Sequence, residues 1–208
     1  MAVAPSSLSF RVGGPDPNLS QTLTLSNVGA SAESYSLTVA QRDAGPAPTL
    51  GTTAITLEPG KSADIAVKFT ATGLTAGQYE GFVKIRGTNS EVEDRLPYWY
   101  AVASDVPANL TPLWVIGISN NETPRAGARV NDAIYFRVTD KSGIVLPNAT
   151  PTVTVVSGGG TVIETVSQNR LYPGVFSASV RLGARRGDNV FRLEVGSVTP
   201  VEITITGN

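Results

Sequence analysis

Short runs with an apolar residue at every second position set the tightest limit on how this chain folds. Leu8, Phe10 and Val12 alternate with Ser9 and Arg11. That period of two is the mark of a strand with one buried face. The same pattern returns in Leu19, Leu23 and Leu25, then in Tyr35, Leu37 and Val39. It continues with Ile55 and Leu57, with Ile65, Val67 and Phe69, and with Tyr79, Gly81, Val83 and Ile85. Leu96, Tyr98, Tyr100 and Val102 complete it. Turn residues separate the runs: Gly13-Gly14-Pro15-Asp16-Pro17, Asn27-Val28-Gly29 and Glu58-Pro59-Gly60-Lys61. No long stretch has apolar residues at helical spacing. Seven short strands punctuated in this way predict a two-sheet sandwich over residues 1–103.

Leu96 to Val102 reads as a last strand, and Leu113-Trp114-Val115-Ile116-Gly117-Ile118 as a first one. Residues 104–112 between them read as a linker, in which Pro107 and Pro112 restrict φ and stiffen the connection. Residues 113–208 form a second module. Trp114, Ile116 and Ile118 alternate in its opening strand, and Ile134, Phe136 and Val138 line Ala133–Thr139. Asp140-Lys141-Ser142-Gly143 is a turn in which Gly supplies positive φ. Val153 and Val155 follow, then Phe176, Ala178, Val180 and Leu182, then Phe191, Leu193 and Val195, then Val201, Ile203 and Ile205. The chain is therefore expected to be all-β, with two sandwiches in tandem.

Four motifs of the first module occur in a familiar order: Leu23-Thr24-Leu25-Ser26-Asn27-Val28-Gly29, Leu57-Glu58-Pro59-Gly60-Lys61-Ser62, Leu74-Thr75-Ala76-Gly77-Gln78-Tyr79-Glu80-Gly81 and Leu96-Pro97-Tyr98. Residues 5–103 resemble the fibronectin-III-like domain that follows the catalytic domain in bacterial subtilisin-like serine proteases. In the second module the run is Val138-Thr139-Asp140-Lys141-Ser142-Gly143, Leu146-Pro147-Asn148-Ala149, Val153-Thr154-Val155 and Ser157-Gly158-Gly159-Gly160-Thr161. That module resembles the bacterial Ig-like repeats of invasin- and intimin-type surface proteins, and departs from them in its basic Arg185-Arg186 and its single copy. The resemblances imply two immunoglobulin/fibronectin-III-like β-sandwiches in a secreted or cell-surface bacterial protein. The first implies a non-catalytic accessory region of a subtilisin-like protease, with that protein's catalytic domain as partner. A module binding carbohydrate or a cell-surface polymer, and an adhesin segment, are the alternatives.

The chemistry available agrees with a non-catalytic role. The sequence has no His and no Cys, so no Ser-His-Asp or Cys-His arrangement can form, nor any disulfide or thiolate metal site. The only lysines are Lys61, Lys68, Lys84 and Lys141, all in alternating or turn contexts that solvate them. No catalytic residue, cofactor or metal ligand is expected. Glu91, Glu93 and Asp94 lack the regular spacing of a calcium loop and read as solvated hairpin charge. Gly158-Gly159-Gly160-Thr161 has no following helix and no Gly-Lys-Ser/Thr, so it is not a phosphate loop. The sequons at Asn18, Asn109, Asn121 and Asn148 read as turn chemistry. Net charge is −1, with no basic field sized for nucleic acid. No apolar run reaches membrane-spanning length. Met1-Ala2-Val3-Ala4 is not a signal peptide, and with Leu8 opening the first strand the chain is expected to be a piece of a longer one.

The aromatic residues point to surfaces. With Tyr98 and Tyr100 on the core side of their strand, Trp99 faces out; with Val83 and Ile85 inward, Phe82 faces out. The two strands pair, which puts Phe82 and Trp99 on one outer face. Phe82, Trp99, Trp114, Arg185 and Arg186 are the candidate interface residues.

Overall fold

The computed structural model describes residues 1–208 apart from 90–92, 164–165 and 170, with the backbone only at 167. Every regular element among the described residues is a strand. The chain divides into two compact units, Met1–Ala103 and Ser104–Asn208.

The first unit holds β1 (Ala2–Ala4), β2 (Leu8–Gly13), β3 (Asn18–Ser26), β4 (Glu33–Gln41), β5 (Thr49–Leu50), β6 (Ala54–Leu57), β7 (Ser62–Thr70), β8 (Gly77–Gly87) and β9 (Glu93–Val102). One sheet has the order β1-β3-β7-β5, the other β2-β9-β8-β4-β6. Leu23, Leu25, Ile65, Val67 and Phe69 from the first sheet meet Leu8, Phe10, Leu37, Val83, Ile85, Leu96, Tyr98 and Tyr100 from the second. These are the residues whose alternation predicted the core. Phe69 packs between Phe10 and Tyr100, at ring distances of 5.6 and 5.1 Å. Ala2–Ala4, ahead of the strand at Leu8 read from sequence as the first, is itself a strand paired with β3, Val3 lying opposite Leu25.

Tyrosine hydroxyls close this unit's corners. Tyr79 OH donates to Thr75 O at 2.7 Å, four residues upstream, the corner typical of immunoglobulin-like sandwiches. Tyr100 OH donates to Gly14 O at 2.5 Å. Gly81 lies over Tyr98, and a Cβ there would meet Ala40 O at 2.4 Å and the Tyr98 hydroxyl at 2.7 Å. Only glycine lets β4, β8 and the Tyr98 ring approach so closely.

The second unit holds β10 (Asn109–Val115), β11 (Arg129–Thr139), β12 (Thr152–Ser157), β13 (Thr161–Val162), β14 (Ser167–Gln168), β15 (Val175–Arg181), β16 (Gly187–Glu194) and β17 (Val201–Gly207). One sheet has the order β10-β11-β15-β13, with β14 also on β15; the other is β12-β16-β17. Leu110, Ile134, Phe136, Val138, Phe176, Ala178, Val180, Phe191, Leu193 and Ile205 form the core. The opening strand differs from its sequence reading. It begins at Asn109, inside the stretch 104–112 read as linker, and ends at Val115. A register shift between Pro112 and Trp114 reverses its parity, so Leu110 and Val115 both face the core. Ile118, read as part of that strand, is 66% exposed in a turn beyond Gly117.

Candidate functional site

The outer face of the sheet β2-β9-β8-β4-β6 carries the first candidate. Phe82 on β8 lies opposite Ala40 of β4 and Pro97 of β9. Trp99 lies opposite Glu80 of β8 and Ser9 of β2. Phe82 and Trp99 are thus diagonal neighbours, within reach of one another for aromatic side chains. Both are half-buried, and Pro97 is exposed. Ala40, Phe82, Pro97 and Trp99 form one apolar stripe across three strands.

Charged pairs rim that stripe. Arg42 meets Glu80 at 3.3 Å, Lys84 meets Glu93 at 3.4 Å, and Arg95 meets the same Glu93 oxygen at 3.0 Å. Burial pushes the Glu93 carboxyl up, but hydrogen bonds and charge from Arg95 and Lys84 outweigh it and hold the group below the usual carboxylate range. Glu91, read with Glu93 and Asp94 as one acidic cluster, lies outside the described residues. An apolar centre with a polar rim is the anatomy of a protein-binding surface.

The second candidate centres on Trp114. It packs edge-on against Tyr135 at 6.0 Å and 69°, on the outer face of β10 and β11, with Ser177 of β15 opposite Tyr135. Burial raises the Tyr135 phenol, and the charge and hydrogen bond of Asp132 raise it further. Tyr135 went unnoticed in the sequence although the alternation of Ile134, Phe136 and Val138 sets it on the outer face; its pairing with Trp114 follows from the register shift in β10. Arg185 and Arg186 stand exposed on the turn from β15 to β16. They lie beyond Arg181, four residues along β15 from Ser177, so they and Trp114 do not make one site.

A surface cavity of about 460 Å³ opens in the first unit between the β4–β5 and β7–β8 connections, lined by Asp43, Pro46, Leu74, Thr75 and Tyr79. Its polar groups are already engaged in holding the loops. Asp43 accepts from Gly45 N at 2.7 Å and from Glu80 N at 2.6 Å, and the Tyr79 hydroxyl is committed to Thr75. Among the described residues no group of three or more Asp or Glu is placed to hold a metal ion. No described helix is long and apolar enough to cross a membrane. Gly158 and Gly160 have a packing role: a Cβ on Gly158, at a φ of 89°, would meet Asp188 O at 2.3 Å, and one on Gly160 would meet Arg181 O at 2.8 Å.

These folds and faces define a pair of immunoglobulin-like β-sandwiches that present surfaces. No protein-family model and no curated protein matches the chain. Solved structures with related folds include the E. coli chaperone DraB, with 11% identity and a TM-score of 0.42 over 100% of this chain and 95% of that one. A chain of the Salmonella enterica SafA pilin–SafB chaperone complex aligns with 13% identity and a TM-score of 0.43, over 98% of this chain and 95% of that one. A Porphyromonas gingivalis protein of unknown function aligns with 11% identity and a TM-score of 0.42, over 100% and 98%.

Proposed function

We propose that this chain is a non-catalytic accessory region of a secreted bacterial protease of the subtilisin-like type, and that its first unit docks against that protein's catalytic domain. The apolar stripe Ala40–Phe82–Pro97–Trp99 with its charged rim carries this reading. Aromatic anchors at the centre of a patch contribute most of the energy of a protein interface. A sequence without His or Cys leaves the usual hydrolytic nucleophile–base pairs unavailable to the chain itself. The order of motifs from Leu23 to Tyr98 favours a subtilisin-like parent over other secreted hydrolases.

Hydrogen exchange on the full parent protein and on residues 1–208 alone tests the docking. The expected result is slower exchange in the parent for the peptides spanning residues 78–84 and 97–101. Equal exchange in both proteins would contradict docking through this face.

A further inference from the structure

Arg125, Arg129, Arg181, Arg185 and Arg186 supply five of the nine cationic side chains of residues 104–208, and the fold gathers them at one end of the second unit. Arg129 and Arg181 sit directly opposite each other on β11 and β15. Like charges in that position oppose strand pairing. Arg181 donates to Gly127 O at 3.3 Å. Gly127 N donates to Gly183 O at 2.8 Å, which ties the loop bearing Arg125 to the turn bearing Arg185 and Arg186. That turn is rigidly held. Buried Asn189 accepts from Gly183 N at 2.7 Å and donates to Gly187 O at 3.3 Å, bracketing both ends of Gly183-Ala184-Arg185-Arg186-Gly187. All five arginines are exposed. Among the described residues no carboxylate pairs with Arg125, Arg185 or Arg186. Asp188, the acid next in sequence, accepts the Thr206 hydroxyl at 2.6 Å.

We infer that this end of the second unit binds a linear anionic polysaccharide through its arginine cluster. Guanidinium groups recognise carboxylates and sulfates through paired N–H donors. Fixing the turn in advance lowers the ordering cost of binding. The patch also lacks what other polyanionic or protein partners need. Residues 124–129 and 181–187 contain no aromatic side chain on which a nucleobase would stack. Leu182 is buried, and no large apolar side chain of these loops is exposed to enter a bilayer or anchor a folded protein. A glycan with one charge per repeat needs neither. This inference is independent of the docking face on the first unit.

The test measures binding of the full chain to heparin and to polygalacturonate at low ionic strength, with single-stranded DNA and phosphatidylglycerol vesicles as comparison arms. The expected result is glycan binding that weakens with salt, and a loss of about tenfold or more in Arg185→Ser/Arg186→Ser. Arg42→Ser/Arg95→Ser, on the first unit, should change it less than about twofold. Stronger response to heparin assigns sulfate as the favoured group, and to polygalacturonate, carboxylate. The inference is overturned if neither glycan binds, if the double variant binds unchanged, or if DNA or vesicles bind more tightly than both glycans.

Discussion

The two units solve one packing problem with different regularity. In the first, β3 and β7 pair through nine consecutive rungs and β8 and β9 through ten without interruption, and register breaks between β2 and β9, at Arg11 with a φ of 65°. In the second, the pairings β10–β11, β11–β15 and β12–β16 each break register once. Asp132, inside one of those breaks, takes a φ of 49°. The β10–β11 and β12–β16 breaks reverse strand parity, whereas the β11–β15 break, at which Asp132 N donates to Ser179 Oγ, keeps it. The first unit relies on long ladders with tyrosine hydroxyls at its corners and one buried loop anchor, Asn27; the second relies more on buried polar side chains, Asp140 and Asn189 among them.

Removing such an anchor is the sharpest way to separate the units. Asp140 is fully buried, and its carboxylate accepts from Ser142 N and Ile144 N at 2.9 Å each and from Ser104 N at 3.1 Å. Asp140→Ala orphans three backbone donors and should cost about 3 kcal/mol. Denaturant unfolding should show the second unit melting early while the first keeps its midpoint. A uniform loss across both units would erase the contrast.

A smaller effect sharpens the account of the first unit. Of its four core tyrosines, Tyr79, Tyr98 and Tyr100 differ in partners, since the buried Tyr98 hydroxyl has none among the described residues. Burial, with Asp43 and Glu80 adding to it, pushes that phenol up to about 12. Tyr79→Phe and Tyr100→Phe should each cost about 1 kcal/mol, whereas Tyr98→Phe should be neutral or stabilising. Thermal unfolding of the three variants decides this; a loss at Tyr98 equal to the others would reveal a partner.

How much of this was legible in the sequence follows the same division. Leu96, Tyr98, Tyr100 and Val102 are buried as their alternation required, which also turned Trp99 outward. Alternation is informative only while register holds, so the run Trp114, Ile116, Ile118 misled. The turn at Asp140 was visible through Gly143, but the burial of its carboxylate was not, because its partners are backbone N–H groups. Arg185-Arg186 showed as a basic pair between glycines. Arg125 joins it through a loop contact and Arg129 through strand pairing, each between segments some fifty residues apart in sequence.

The smallest expected effect is on pH. Glu93 has a folded pKa below its ordinary value of 4.5. The stability it contributes is therefore present above that value and is lost as pH falls through the depressed folded value. Glu93→Gln should flatten the acid side of the first unit's stability profile below about pH 4.5. An unchanged profile would remove Glu93 from the rim network.

The docking face is tested most directly by Phe82→Ala/Trp99→Ala, with thermal unfolding followed in residues 1–208 and in the full parent protein. Outward aromatics that meet a partner should matter little in the chain alone and about 1.5–3 kcal/mol more in the parent. An equal loss in both proteins would place Phe82 and Trp99 in the first unit's own packing and contradict the docking face.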